Sequence, residues 1–154
     1  MESVSLSRRG FLAASAAAGL LQAKPVYFTE AEASLVVLVA EQIIPADQDA
    51  GATRAGVVQY IDRQLAGPLK RFAPVYREGL PAFEPLRNMP LPEQTKFLEA
   101  VERGEHGRPA AELFNLIIDH TMQGFYGSPK HGGNKDEASW QMLGIVDEMD
   151  GGHH

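Results

Sequence analysis

The chain has 154 residues, a formal net charge of −6, 44% apolar and 22% charged residues. Such a length and balance suit one soluble domain that buries about two thirds of its unfolded surface without staples. Cysteine is absent, which excludes disulfides, thiolate zinc sites, iron–sulfur clusters, covalent c-type haem and cysteine nucleophiles. The acidic balance argues against a nucleic-acid or anionic-membrane surface.

The first segment reads as an export address. Ser7-Arg8-Arg9-Gly10-Phe11-Leu12 is a twin-arginine element followed by an apolar aromatic and a leucine. An uncharged run from Ala13 to Leu21 comes next, too short to span a bilayer core of about 30 Å. The arginines sit where a targeting n-region belongs, and no acid follows until Glu30. Residues 1–23 are therefore set aside as a twin-arginine signal peptide, with cleavage expected after Ala23. The blander reading is an arginine pair opening an ordinary alanine-rich helix. Twin-arginine export carries proteins that are already folded.

Helix signals dominate the remainder. Thr29-Glu30-Ala31-Glu32 is a capping box, with Thr29 at the N-cap and Glu32 three residues on. Behind it Leu35, Leu38, Val39 and Ile43 follow helical spacing, and Pro45 stops the helix. Residues 46–53 read as a polar loop. A second helix is expected over about 55–66, burying Val57, Val58, Ile61 and Leu65. Gly67-Pro68 interrupts it. Pro74 suits a helix N-terminus, and Pro81 and Pro85 predict a broken helix up to Asn88. Pro92 and Glu93 open a helix carrying Phe97, Leu98 and Val101 that ends at Gly104. Pro109 starts the most apolar helix, with Leu113, Phe114, Leu116, Ile117, Ile118, Met122 and Phe125. Apolar residues around most of its circumference predict a central position. An irregular loop rich in glycine and aromatics follows, then a short helix over about 136–143 carrying Trp140. Residues 147–154 read as a flexible tail. No stretch alternates with a period of two, so the expectation is an all-α, compact domain of about five helices over residues 28–146.

Familiar chemical fingerprints are missing. No glycine recurs two positions after another, so there is no G-x-G-x-x-G. There is no Walker A motif and no G-x-S-x-G elbow. No Glu is followed three residues later by His, and H-E-x-x-H is absent. His120, beside Asp119 on the central helix, reads as a half-buried histidine satisfied by a backbone group or an acid rather than a metal ligand. His106 reads as solvated, and Glu99, Glu102 and Glu105 as a solvated face. The loop from Phe125 allows two readings. Its glycines can serve a structural crossover. Alternatively Phe125, Tyr126, His131, Gly132, Gly133, Asn134 and Trp140 form a presentation loop facing a partner.

The stretch FYGSPKHGGNKDEASWQMLG, from Phe125 to Gly144, resembles the C-terminal signature of the gluconate 2-dehydrogenase subunit 3 family. That signature has an aromatic pair, a turn with proline, Gly-Gly-Asn, and a Trp ahead of Leu/Ile-Gly. Phe28-Thr29, Ile43-Ile44-Pro45-Ala46-Asp47, Gly51-Ala52 and Val57-Val58 before Tyr60-Ile61-Asp62 look like the same family, as does the preceding signal. His131 stands where the family commonly has an aromatic.

The resemblance implies a small, non-catalytic accessory subunit with no cofactor of its own. Its partner would be a large FAD-dependent dehydrogenase of the glucose-methanol-choline type, acting on sugars, sugar acids or polyols. Many such complexes add a cytochrome c subunit carrying haem c. The small subunit supplies the signal (Arg8, Arg9, Phe11 and Leu12), engages the twin-arginine translocase, and brings the pair to the periplasm, where the complex holds it at the inner membrane. The competing reading is a free-standing periplasmic enzyme or sugar-binding module using the His120 or His131 region. A third is an uncleaved signal that tethers the chain to the membrane.

Overall fold

The computed structural model describes residues 24–46, 51–127 and 133–135. The expected 136–143 helix, the signal and the tail lie outside them. Among the described residues there are five α-helices and two 3₁₀ segments, without a strand.

Helix α1 (Glu30–Ile43) starts as its capping box demands. The Thr29 hydroxyl accepts the Glu32 N–H at 3.1 Å, and the Glu32 carboxylate accepts the Thr29 N–H at 2.9 Å. Two orphan backbone donors are thereby satisfied, and two acids sit at the positive end of the helix dipole. The helix stops before Pro45, with the Ile44 N–H closing onto the Ala40 carbonyl. Helix α2 (Val57–Leu65) is shorter than its pattern suggested. It buries Val57, Val58, Ile61 and Leu65, with Asp62 on the same face.

The proline-rich middle resolves into a sequence of tight turns. A 3₁₀ turn, Lys70–Phe72, leads into α3 (Ala73–Gly79) and then a second 3₁₀ segment, Leu80–Asn88. Pro81 and Pro85 lack the N–H that an α-ladder needs, so the chain tightens instead of breaking. Its buried residues, Leu80, Phe83 and Leu86, recur every third position. That spacing keeps one face inward at three residues per turn.

Helix α4 (Leu91–Glu102) begins one residue before Pro92. Helix α5 (Arg108–Tyr126) is the longest and contacts α1, α2, α3 and α4, as its apolar circumference predicted. It approaches α3 closely. A Cβ at Gly79 would lie 2.6 Å from both the Leu113 Cβ and the Pro109 carbonyl oxygen, so only glycine lets the two backbones meet there. Leu113 and Ile117 are fully buried, each contributing about 1.5–3 kcal/mol of transfer free energy.

Polar side chains tie the helices where apolar contact runs out. The buried Gln94 amide donates to the Met89 carbonyl at 2.9 Å, and its carbonyl accepts from Gln42 on α1 at 3.1 Å. Arg87 bridges from the second 3₁₀ segment to Ser34 at 2.8 Å and to the Ala31 carbonyl.

Candidate functional site

Three polar constellations interrupt the apolar interior. The first holds the start of the domain. Asp62, 6% exposed, accepts three consecutive backbone N–H groups: Val26 at 2.7 Å, Tyr27 at 2.9 Å and Phe28 at 2.8 Å. A carboxylate has enough lone pairs for all three, and charge-assisted bonds are the strong ones. The clamp lays the segment before α1 against α2 and sets the Phe28 ring against Tyr76, centroids 5.7 Å apart. Sequence reasoning assigned Asp62 no role. The available signal was an acid on the apolar stripe, four residues after Val58 and three before Leu65.

The second constellation surrounds His120. The ring is 2% exposed, stacked on Tyr76 at 5.8 Å and edge-on to Phe72 at 5.4 Å. Its Nδ1 lies 2.9 Å from the Tyr76 hydroxyl. Burial lowers the imidazole pKa, with Asp119 opposing that shift and Arg71 adding to it. Burial also pushes the Tyr76 phenol well above its ordinary range, and the neighbouring Tyr27 adds to the effect. Both groups are therefore held neutral, and they satisfy one another. The expected partner was an acid or a backbone group; a phenol fills that place. Such an enclosed ring has no face left for a substrate, so the alternative of a catalytic or sugar-binding His120 does not fit its surroundings.

The third lies at the C-terminal end of α5. The Asn134 N–H donates to the Gly124 carbonyl at 2.6 Å, and the Lys135 N–H to the Ala55 carbonyl at 2.7 Å. The Asn134 side chain donates to the Gly127 carbonyl at 2.8 Å, capping the helix end. Asn134 has φ of +46°, a left-handed geometry that asparagine tolerates. A Cβ on Gly133 would meet the Gly124 oxygen at 2.3 Å, so this glycine is required by close backbone approach. The Gly-Asn pair thus stitches the chain back onto α5 and the turn before α2.

Of the residues singled out from sequence, Phe125 is in the core at 1% exposure, and Gly133 and Asn134 are buried at this junction. Tyr126 is 42% exposed, one turn beyond Met122 at 40%. Arg8, Arg9, Phe11, Leu12, His131, Gly132 and Trp140 lie outside the described residues. Glu99, Glu102 and Glu105 are exposed, as expected of a solvated face. His106 is exposed too, with its ring on Phe97, centroids 4.4 Å apart. Among the described residues no three His, Cys, Asp or Glu side chains converge to hold a metal. No helix among them is long and apolar enough to cross a membrane.

Among the described residues the domain is all-helical, with a capped glycine-asparagine return onto its longest helix. The family description "Gluconate 2-dehydrogenase subunit 3" matches residues 30–146, three quarters of the chain. The chain belongs to the gluconate 2-dehydrogenase subunit 3 family, whose name makes it an accessory subunit of a multi-subunit dehydrogenase. No curated protein and no solved structure matches it.

Proposed function

We propose that this subunit performs no chemistry itself and supports assembly and twin-arginine export of a large periplasmic dehydrogenase subunit. The partner would carry FAD, belong to the glucose-methanol-choline type, and oxidise a sugar, sugar acid or polyol. A cytochrome c subunit with haem c would complete the complex and hold it at the inner membrane. The observation that carries this reading is the family match over residues 30–146, directly behind the Arg8-Arg9-Gly10-Phe11-Leu12 element.

The Asp62 clamp supports the same reading. Its first bonded amide, Val26, lies three residues past Ala23. A signal ending at Ala23 would join the chain next to this clamp, and a route that carries folded cargo suits such a junction. The exposed Tyr126, beside the Gly133–Asn134 junction, is the described residue best placed for the presentation-loop interface, with His131, Gly132 and Trp140 as its expected companions.

The decisive experiment replaces Arg8 and Arg9 by lysine in the native host. The large subunit should then remain in the cytoplasm and dehydrogenase activity should disappear from the periplasm. Unchanged export of the large subunit would refute the escort role. Trp140→Ala and Tyr126→Ala should weaken the complex; assembly as tight as wild type would remove the interface assignment.

A further inference from the structure

A groove of about 260 Å³ runs between α1, α4 and α5. Ile43, Leu98, Phe114 and Ile118 supply its apolar floor and walls, and Glu99 and Glu102 stand on its rim. Along α5 the stripe Phe114, Ile118, Met122 recurs every fourth residue and so stays on one face for about 12 Å. Exposure grows along it: Phe114 is 7% exposed, Ile118 half-buried and Met122 40% exposed. Asp119 is exposed beside that stripe. Among the described residues, none that lines the groove is a cation. Neither Glu99 nor Glu102 is among the ion pairs of the described residues.

We propose that this groove docks a basic amphipathic helix of the large dehydrogenase subunit. Two or three apolar side chains of that helix would fill the groove at Phe114 and Ile118 and run on along α5 over the exposed Met122, and its lysines or arginines would face Glu99, Glu102 and Asp119. The assignment rests on the accessory-subunit reading and adds a second contact to it, on α4 and α5 rather than on the loop. Charge decides the occupant. The chain's own C-terminal segment, residues 136–154, carries five acids and no lysine or arginine, so it would be repelled by this rim. A second copy docked groove to groove would set the same carboxylates against each other. A helix lying in an apolar groove with cations along its edges satisfies both the apolar stripe and the carboxylates.

The test uses the complex purified from the native host. Glu99→Lys with Glu102→Lys, both at exposed positions, should leave helicity and melting temperature unchanged and raise the Kd for the large subunit about tenfold. The wild-type Kd should rise with ionic strength, and that of the double variant should rise less. Met122→Glu should weaken binding separately, and Glu78→Lys on α3 should not. A photo-crosslinker at position 122 should capture a lysine- or arginine-bearing helical peptide of the large subunit. A complex that forms with unaltered Kd in the groove variants would overturn this proposal and leave the accessory role standing. If wild type fails to bind any large subunit, the accessory role itself falls, and this proposal with it. Crosslinking to residues 1–23 of the same chain, or to a second copy, would overturn the proposal too.

Discussion

Asp62 on α2 accepts the Phe28 N–H at 2.8 Å across 34 residues of sequence, so one buried carboxylate fixes where the helical domain begins. The same carboxylate takes the amides of Val26 and Tyr27. Removing it strands three donors, two of them bonded to a single oxygen. Asp62→Ala should destabilise the fold by about 3 kcal/mol, measured by urea unfolding. Asp62→Asn keeps one acceptor oxygen and should cost less, because Tyr27 and Phe28 can still share it while Val26 faces an NH₂. Equal losses for the two variants would contradict this account of the clamp.

The His120–Tyr76 pair predicts a pH dependence. Burial holds the His120 pKa below its ordinary value, so the folded state favours the neutral ring. The unfolded chain binds that proton near pH 6.5. The resulting stability is fully present above about pH 6.5 and is lost as pH falls from there through the folded pKa. His120→Gln, which can still bond the phenol, should flatten this part of the stability profile. Urea midpoints between about pH 7.5 and 5.5 measure it; a wild-type slope in the variant would assign the effect elsewhere.

Gly133 and Asn134 separate steric from hydrogen-bonding roles. Gly133→Ala forces a methyl onto the Gly124 carbonyl and should cost about 2 kcal/mol, with faster hydrogen exchange at the Asn134 amide. Asn134→Gly keeps the left-handed backbone and loses the side-chain bond to the Gly127 carbonyl, for about 1 kcal/mol. Asn134→Ala loses the bond and strains the backbone, so it should be the worse of the two. The reverse order would show that the left-handed backbone geometry contributes little here.

Thr29→Ala removes one half of the capping box of α1 and should lower stability by about 1 kcal/mol. Thr29→Ser retains the hydroxyl and should restore most of it. Thermal unfolding of the three proteins decides the matter.

Much of this architecture was legible in the sequence because its signals are local. The capping box at Thr29, the stop at Pro45 and the apolar circumference of Arg108–Tyr126 each depend on residues within a few turns of one another. The middle segment was legible only as an interruption. Two prolines forbid a continuous α-ladder, but the choice of a 3₁₀ path was made by burying Leu80, Phe83 and Leu86 against distant helices.

The site readings divide along the same line. The family signature, read from residues 28 to 144, determined the family without any coordinates. Tertiary structure decided that Asp62 is a clamp on residues 34–36 positions away, that a phenol from α3 satisfies His120, and that Gly133 and Asn134 close onto α5. Each is a contact between segments far apart in the chain, created by packing. Residue types record such a contact only as an acid, a histidine or a glycine in an unexpected place, and the partner that explains it is chosen by the fold.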